Sequence, residues 1–149
     1  MHGQRIFVSD HNHEVSELFA EILTGEGYRV WLDTPTDLSA HRICAALPDL
    51  ALIELLPNQP VPTLNLVEQL RTHPATVNLP VLVSSTDYFL VKRLAQPLGT
   101  LGCQLLMKPF TLETLLEVVR AALNPSGVLQ ANCTPQVLWP ELPRYARFY

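Results

Sequence analysis

The amino-acid sequence predicts an α/β fold in which helices cover both faces of an open parallel sheet. Short, continuously apolar runs alternate five times with stretches whose apolar residues recur at helical spacing. Continuous apolar runs are typical of parallel strands that are buried on both faces. Strand–helix alternation of this kind favours right-handed crossovers. With 149 residues, the chain is long enough for one domain with a substantial core.

Five apolar runs are the predicted strands: 6–8, 28–32, 50–53, 81–83 and 105–107. Polar residues stand at or just after the ends of four of these runs, namely Asp10, Glu54, Ser85 and Lys108. The ligand crevice of an open parallel sheet lies outside the carboxyl ends of its strands. We therefore expect two carboxylates, a hydroxyl and an ammonium group to converge on one small pocket.

The first and last predicted helices carry the clearest apolar stripes and caps. Asn12 is a candidate N-cap for a helix that closes near Gly25 or Gly27, and Thr111 caps the last helix. Their inward-facing residues are Val15, Leu18, Phe19, Ile22 and Leu23 in the first, and Leu112, Leu115, Leu116, Val119 and Leu123 in the last.

Prolines punctuate the region between these two helices. The second helix carries a stripe from Ala40 to Leu47 and ends before Pro48. Residues 55–62 are predicted to form a proline-stiffened loop before a third helix that contains Leu66, Val67 and Leu70. The fourth helix is predicted to be short, covering 88–95 after an Asp87 cap, because Pro97 and Gly99 should end it early.

Composition excludes several function classes. The net charge is −4, so no basic field is available to recruit nucleic acid. Cys44, Cys103 and Cys133 have no metal-binding spacing and are expected to be reduced thiols of a cytoplasmic protein. We expect neither a signal peptide nor a membrane span, because charges and prolines interrupt every apolar stretch.

The strand–helix alternation ends at residues 124–127, whose sequence Asn-Pro-Ser-Gly disfavours helix and strand. We therefore divide the chain into a domain at 4–123 and a tail at 124–149. The tail contains prolines together with the aromatic residues Trp139, Tyr145, Phe148 and Tyr149. Disordered segments are usually poor in aromatic residues. We therefore expect the tail to be ordered and to pack on the domain or on a second copy of the chain.

The segments 5–10, 48–57, 79–85 and 107–110 together resemble the response-regulator receiver domain, over residues 4–123. The resemblance implies a flavodoxin-like, doubly wound sheet of five strands in the order 2-1-3-4-5, with five helices and a C-terminal extension. It also implies a cis bond between Lys108 and Pro109. The implied function is that of a stand-alone receiver in two-component, phosphorelay-type signal transduction, which acts through protein–protein contacts and not as an enzyme.

The resemblance also assigns roles to the residues at the strand ends. Asp10 belongs to the acidic pocket that holds Mg²⁺, Ser85 is the switch hydroxyl and Lys108 pairs with the phosphate. Three positions depart from the family pattern: Glu54 stands at the phosphoacceptor position, His11 at the second acidic position and Leu105 at the switch-aromatic position. Because imidazole is a poor Mg²⁺ ligand, we expect weak or absent Mg²⁺ binding, no other cofactor and a pseudo-receiver that is not phosphorylated normally.

Other interpretations of the same residues stay open. Asp10, His11 and Glu54, with His13, are weak candidates for a transition-metal site, although exposed loop histidines explain the pattern more simply. The chain could also be a divergent receiver that a histidine kinase still phosphorylates. A flavodoxin-like ligand-binding domain is disfavoured, because residues 9–13 form no phosphate-binding loop. Expected partners are proteins: a histidine kinase, a downstream signalling protein or a second copy, but neither nucleic acid nor membrane.

Overall fold

The computed structural model describes residues 3–35, 38–56 and 60–124, and the backbone of 137–138. Strands and helices alternate along these residues. They are β1 (Arg5–Ser9), α1 (His13–Gly25), β2 (Arg29–Asp33), α2 (Ala40–Ala46), β3 (Leu50–Glu54), α3 (Pro60–Thr72), β4 (Val81–Ser85), α4 (Tyr88–Thr100), β5 (Cys103–Met107), α5 (Leu112–Leu123) and β6 (Val137–Leu138).

The sheet is parallel throughout and has the strand order β2-β1-β3-β4-β5-β6. The first five strands confirm the predicted flavodoxin-like arrangement. The sixth corrects the prediction, because Val137 and Leu138 of the tail pair with Leu105 and Leu106 of β5. A strand at a sheet edge presents unpaired backbone groups, and this short segment pairs with those of β5. Two residues are too few to produce a periodic signal in the sequence.

Two apolar clusters lie on opposite faces of the sheet. Phe7 and Val67 belong to the cluster beneath α2, α3 and α4, whereas Phe19 and Leu115 belong to the cluster beneath α1 and α5. Successive residues of a strand point to opposite faces, so β1 contributes to both clusters. Every residue of β3 and β4 is buried, which explains why their apolar runs are continuous.

Two predicted helix boundaries around prolines are wrong. Helix α4 continues through Pro97 to Thr100, where Leu98 is fully buried while Pro97 is exposed. We attribute the continuation to the burial of Leu98, which offsets the hydrogen bond that proline cannot make. Helix α3 begins at Pro60, so residues 60–62 form its first turn and not a loop. Proline is tolerated in a first turn, because the N–H groups there have no intrahelical partner.

The second predicted helix also ends differently. Leu47, expected on the inward stripe of this helix, is instead the C-cap of α2 with a φ of 49° and a side chain that is 63% exposed. The predicted N-caps Asn12, Asp87 and Thr111 are confirmed, since each side chain accepts a backbone N–H of its own helix.

The remaining sequence predictions divide between the described residues and the rest of the chain. The bond between Lys108 and Pro109 is cis, as the resemblance implied. Cys44 and Cys103 form no disulfide. Among the described residues, no helix combines the length and apolar character needed to cross a bilayer. The predictions for Cys133 and for the aromatic residues of the tail concern residues outside the described part of the chain; these aromatic residues are Trp139, Tyr145, Phe148 and Tyr149.

Candidate functional site

Three charged side chains meet at the carboxyl ends of the strands. Asp10 follows β1, Glu54 ends β3 and Lys108 follows β5. The ammonium Nζ of Lys108 lies 2.5 Å from Asp10 Oδ2 and 3.2 Å from Glu54 Oε2. All three residues are buried, with at most 8% of each exposed. The convergence predicted from the strand ends is therefore confirmed for these three residues.

His11 completes the site from its exposed side. Its backbone N–H donates to Glu54 Oε1 over 3.0 Å, and its ring Nδ1 lies 2.5 Å from the same oxygen. The His11 side chain is 62% exposed, whereas the Glu54 side chain that it contacts is only 4% exposed. The His11 ring therefore lies between the Glu54 carboxylate and solvent. Asp10 Oδ1 accepts the backbone N–H of Asn12 at 2.9 Å. Both oxygens of Glu54 are therefore engaged, one by His11 and the other by Lys108.

The electrostatics of the site favour an ionised Glu54. Burial by itself would raise the pKa of its carboxyl group. The backbone and side-chain hydrogen bonds from His11 and the positive charge of Lys108 outweigh burial, and hold the pKa below its ordinary value of 4.5. Glu54 therefore stays a carboxylate at neutral pH.

The lowered pKa predicts how Glu54 affects acid stability. Because the folded chain holds the Glu54 proton less tightly than the unfolded chain, its stabilising contribution is complete above pH 4.5 and is lost as the pH falls through the folded-state pKa. In Glu54→Gln, the free energy of unfolding should therefore fall less steeply with acidification than in the parent. Urea denaturation between about pH 6 and 3 measures this slope. Glu68→Gln, at an exposed position of α3, is the matched control and should keep the parental slope.

Ser85 stands at the strand end where it was expected, and its backbone carbonyl accepts the backbone N–H of Lys108 over 2.7 Å. It is fully buried at the end of β4, and its hydroxyl accepts the backbone N–H of Asp87 over 3.0 Å. Among the described contacts, the hydroxyl thus belongs to the turn that leads into α4, and not to the ion-pair cluster. Leu105 is buried in the cluster beneath α2, α3 and α4.

The ligand set of the site does not suit Mg²⁺. Asp10, His11 and Glu54 each offer a ligand atom, and these atoms lie within 4.8 Å of one another. Mg²⁺ requires oxygen ligands in near-octahedral geometry, whereas this set contains an imidazole nitrogen. The ammonium of Lys108 already contacts both carboxylates. His13, another candidate ligand, pairs with Glu17 at 3.0 Å and is not part of the group.

Sequence reasoning missed two features of this structure. His11 binds Glu54 through both its backbone and its ring, whereas its place in the sequence indicates only that a Mg²⁺ ligand is missing. The side chain of Arg71 was not singled out, although its guanidinium donates to four backbone carbonyls: those of Thr76, Val77, Leu79 and Leu101. Any residue type supplies a carbonyl, so these acceptors leave no signal in the sequence.

Solved structures with the same fold and 20–26% sequence identity to this chain include proteins described as response regulators. A protein from Chloroflexus aurantiacus described as a response regulator is 26% identical, with a TM-score of 0.63 over 81% of this chain and 98% of its own. The chemotaxis protein CheY4 of Vibrio cholerae is 21% identical, with a TM-score of 0.67 over 79% of this chain and 97% of its own.

A third similar structure comes from a longer protein. NtrX from Brucella abortus is 25% identical, with a TM-score of 0.65 over 83% of this chain but only 28% of its own. The likeness is therefore to one part of NtrX. No protein-family model matches the sequence, and no curated protein does so either.

Proposed function

Since this chain forms a receiver domain of the response-regulator type, we propose that it acts in two-component signalling with a site set by internal ion pairs and not by phosphorylation. In this proposal, His11, Glu54, Lys108 and Asp10 form one permanent network. The domain passes its signal by contact with other proteins in the cytoplasm, either a histidine kinase or a downstream protein. It catalyses no reaction and needs no Mg²⁺.

The engagement of both Glu54 oxygens is the observation that carries this proposal. To accept a phosphoryl group, a carboxylate oxygen must attack phosphorus as a nucleophile. Oε1 already accepts the backbone N–H of His11 and contacts its ring, and Oε2 accepts from Lys108. Once bonded to phosphorus, the attacking oxygen would lose its negative charge and would accept its present hydrogen bonds only weakly, and a weakened hydrogen bond is costly in a buried site.

Charge balance gives a second argument. A phosphoryl group brings a charge of about −1.5 to −2. Asp10 and Glu54 already place two carboxylates beside one ammonium group. Because the ligand set does not suit Mg²⁺, the added phosphoryl charge would lack the metal ion that commonly offsets it in phosphoryl transfer.

The same network gives the domain a fixed signalling state. The ammonium of Lys108 is held by Glu54 and Asp10, in the place where the resemblance assigns it a phosphate partner. Glu54 carries a charge of about −1, less than a phosphoryl group brings, so it imitates the phosphorylated state only in part. We infer that the contacts of this domain are constitutive or are tuned by a signal other than phosphate.

We expect no phosphoryl group on Glu54 after treatment with an acyl phosphate donor and millimolar Mg²⁺. The occupied carboxylate oxygens and the lack of a suitable metal site are the reasons. Intact-protein mass spectrometry followed by peptide mapping is the measurement. The variant His11→Asp with Glu54→Asp, which restores the family pattern at both positions, is the matched positive control. A stable phosphoryl adduct mapped to Glu54 in the parent would contradict the proposal.

The alternative is a divergent receiver that a histidine kinase still phosphorylates. The buried contact between Lys108 and Asp10 favours it, because both family residues are present and adjacent. Incubation with a phosphorylated histidine kinase distinguishes the two functions. Transfer to Glu54 supports the alternative, whereas binding without transfer supports the contact-based function.

A further inference from the structure

The ring of His11 faces two carboxylates at once. Its Nδ1 atom lies 2.5 Å from Glu54 Oε1 and 3.7 Å from Asp10 Oδ1. The two carboxylates stand at the ends of β3 and β1, which are neighbouring strands. One imidazole nitrogen and two carboxylate oxygens form a ligand set that Mg²⁺ does not prefer. The same set suits Zn²⁺, which binds histidine nitrogen and carboxylate oxygen alike.

Lys108 contacts the other oxygen of each carboxylate. Its Nζ lies against Asp10 Oδ2 and Glu54 Oε2, whereas the His11 ring faces Oδ1 and Oε1. Oδ1 also accepts the backbone N–H of Asn12, and Oε1 accepts the backbone N–H of His11. Because each carboxylate oxygen has two lone pairs, one lone pair of Oδ1 and one of Oε1 remain for a metal ion. A cation bound there would leave both Lys108 contacts in place.

The distances between these atoms are close to those of a tetrahedral zinc site. Ligands about 2.0–2.2 Å from Zn²⁺ lie roughly 3.3–3.6 Å apart when the angle between them is tetrahedral. Nδ1 of His11 is slightly farther than this from Asp10, and about 1 Å nearer than this to Glu54. The His11 side chain is 62% exposed, so its ring has room to move outward by that amount. The exposed side also lets water supply a fourth ligand.

The charges of the site also favour a bound cation. Asp10 and Glu54 are buried beside one ammonium group, so their ion pairs with Lys108 leave one negative charge unbalanced. Hydrogen bonds from His11 and the charge of Lys108 hold the pKa of Glu54 below its ordinary value, which keeps it a carboxylate. A carboxylate that coordinates a metal ion keeps its negative charge, unlike one that is bonded to phosphorus. The contacts that oppose phosphoryl transfer are therefore compatible with metal binding.

We propose that Asp10 Oδ1, His11 Nδ1 and Glu54 Oε1 bind Zn²⁺ in preference to Mg²⁺, with water as the fourth ligand. The ion replaces the direct contact between the His11 ring and Glu54, while Lys108 keeps both of its partners. Binding reverses the sign of the local charge, because two positive charges are added to one unbalanced negative charge. The inference rests on the proposed function in one respect: it names the metal ion as the signal, other than phosphate, that tunes the domain.

Zinc titration of the full chain against a chromogenic chelator tests this site. The protein carries no affinity tag, and Cys44→Ser with Cys133→Ser removes competing thiols. Cys103 can remain, since burial raises the pKa of its thiol to about 11. One Zn²⁺ should bind with a micromolar or lower Kd, and millimolar Mg²⁺ should not displace it. His11→Ala should weaken binding at least about tenfold, because it removes the nitrogen ligand but keeps the backbone N–H that holds Glu54.

His13→Ala is the matched control for this titration. His13 is a neighbouring histidine that pairs with Glu17 outside the ligand group, so its loss should leave the zinc affinity unchanged. No Zn²⁺ binding by the parent, equal affinities of the parent and His11→Ala, a loss confined to His13→Ala, or displacement by millimolar Mg²⁺ would overturn the proposal. Circular dichroism checks that each variant is folded. The phosphoryl-donor experiment contains Mg²⁺ but no Zn²⁺, so it tests the proposed function separately.

Discussion

Replacing Lys108 with methionine should lower the free energy of unfolding by about 3–5 kcal/mol at neutral pH. Methionine fills a similar space but removes the ammonium group that contacts Asp10 and Glu54. Two buried carboxylates would then face each other without a cation. Leaving a buried charge unpaired costs more free energy than the intact ion pair contributes to stability. The loss should shrink in acid, because Glu54 without the positive charge of Lys108 is more easily protonated, and protonation removes its charge. Urea denaturation at pH 7 and at about pH 4 measures both effects.

Lys92→Met is the matched control for this experiment. Lys92 is exposed on α4, and its ammonium lies 5.4 Å from the ring centre of Tyr88, so its loss should cost less than about 1 kcal/mol. Combining Lys108→Met with Asp10→Asn should recover part of the stability, because one unpaired charge is removed with its partner. Equal losses for Lys92→Met and Lys108→Met, or no recovery in the double variant, would show that the buried ion pairs do not stabilise the fold.

Aspartate at both altered positions should strengthen Mg²⁺ binding relative to the parent. We expect His11→Asp with Glu54→Asp to bind Mg²⁺ at least ~30-fold more tightly than the parent, which corresponds to about 2 kcal/mol. The first change replaces an imidazole with oxygen ligands, and the second shortens the side chain that reaches Lys108. Isothermal titration calorimetry measures the affinity.

The two single variants separate the contributions to this gain. Each alone should improve the affinity only a few-fold, because the remaining position still obstructs the metal, either as a nitrogen ligand or as a carboxylate held by Lys108. Full binding by His11→Asp alone would assign the whole defect to the imidazole. Equal binding by the parent and the double variant would show that the altered site still holds Mg²⁺, which would contradict the proposed function.

The sequence predicted the members of the site better than their contacts. Asp10, Glu54 and Lys108 could be placed together because each stands at the carboxyl end of a predicted strand, and parallel strands bring such ends to one edge. The role of His11 could not be predicted in this way. Its position after β1 allows the ring to point to solvent or toward Glu54, and only the distance between β1 and β3 selects the second arrangement.

Helix boundaries also divide into those that local sequence predicts and those that tertiary contacts decide. Asn12, Asp87 and Thr111 were identified correctly as N-caps, because a cap is a local contact between a side chain and its own helix. Pro97 was expected to end α4, but the helix continues past it. Whether α4 continues past Pro97 depends on the burial of Leu98. The core residues that bury Leu98 belong to elements distant in the sequence.

The sequence by itself determined the alternation of strands and helices, the caps and the identity of the charges at the strand ends. Each of these is a local feature: a period of 3.6 residues marks the helices, continuous apolar runs mark strands that are buried on both faces, and a cap contacts its own helix. Only the tertiary structure decided that both oxygens of Glu54 are occupied and that β6 joins β5. These features join residues far apart in the chain, so their free energies depend on which elements become neighbours.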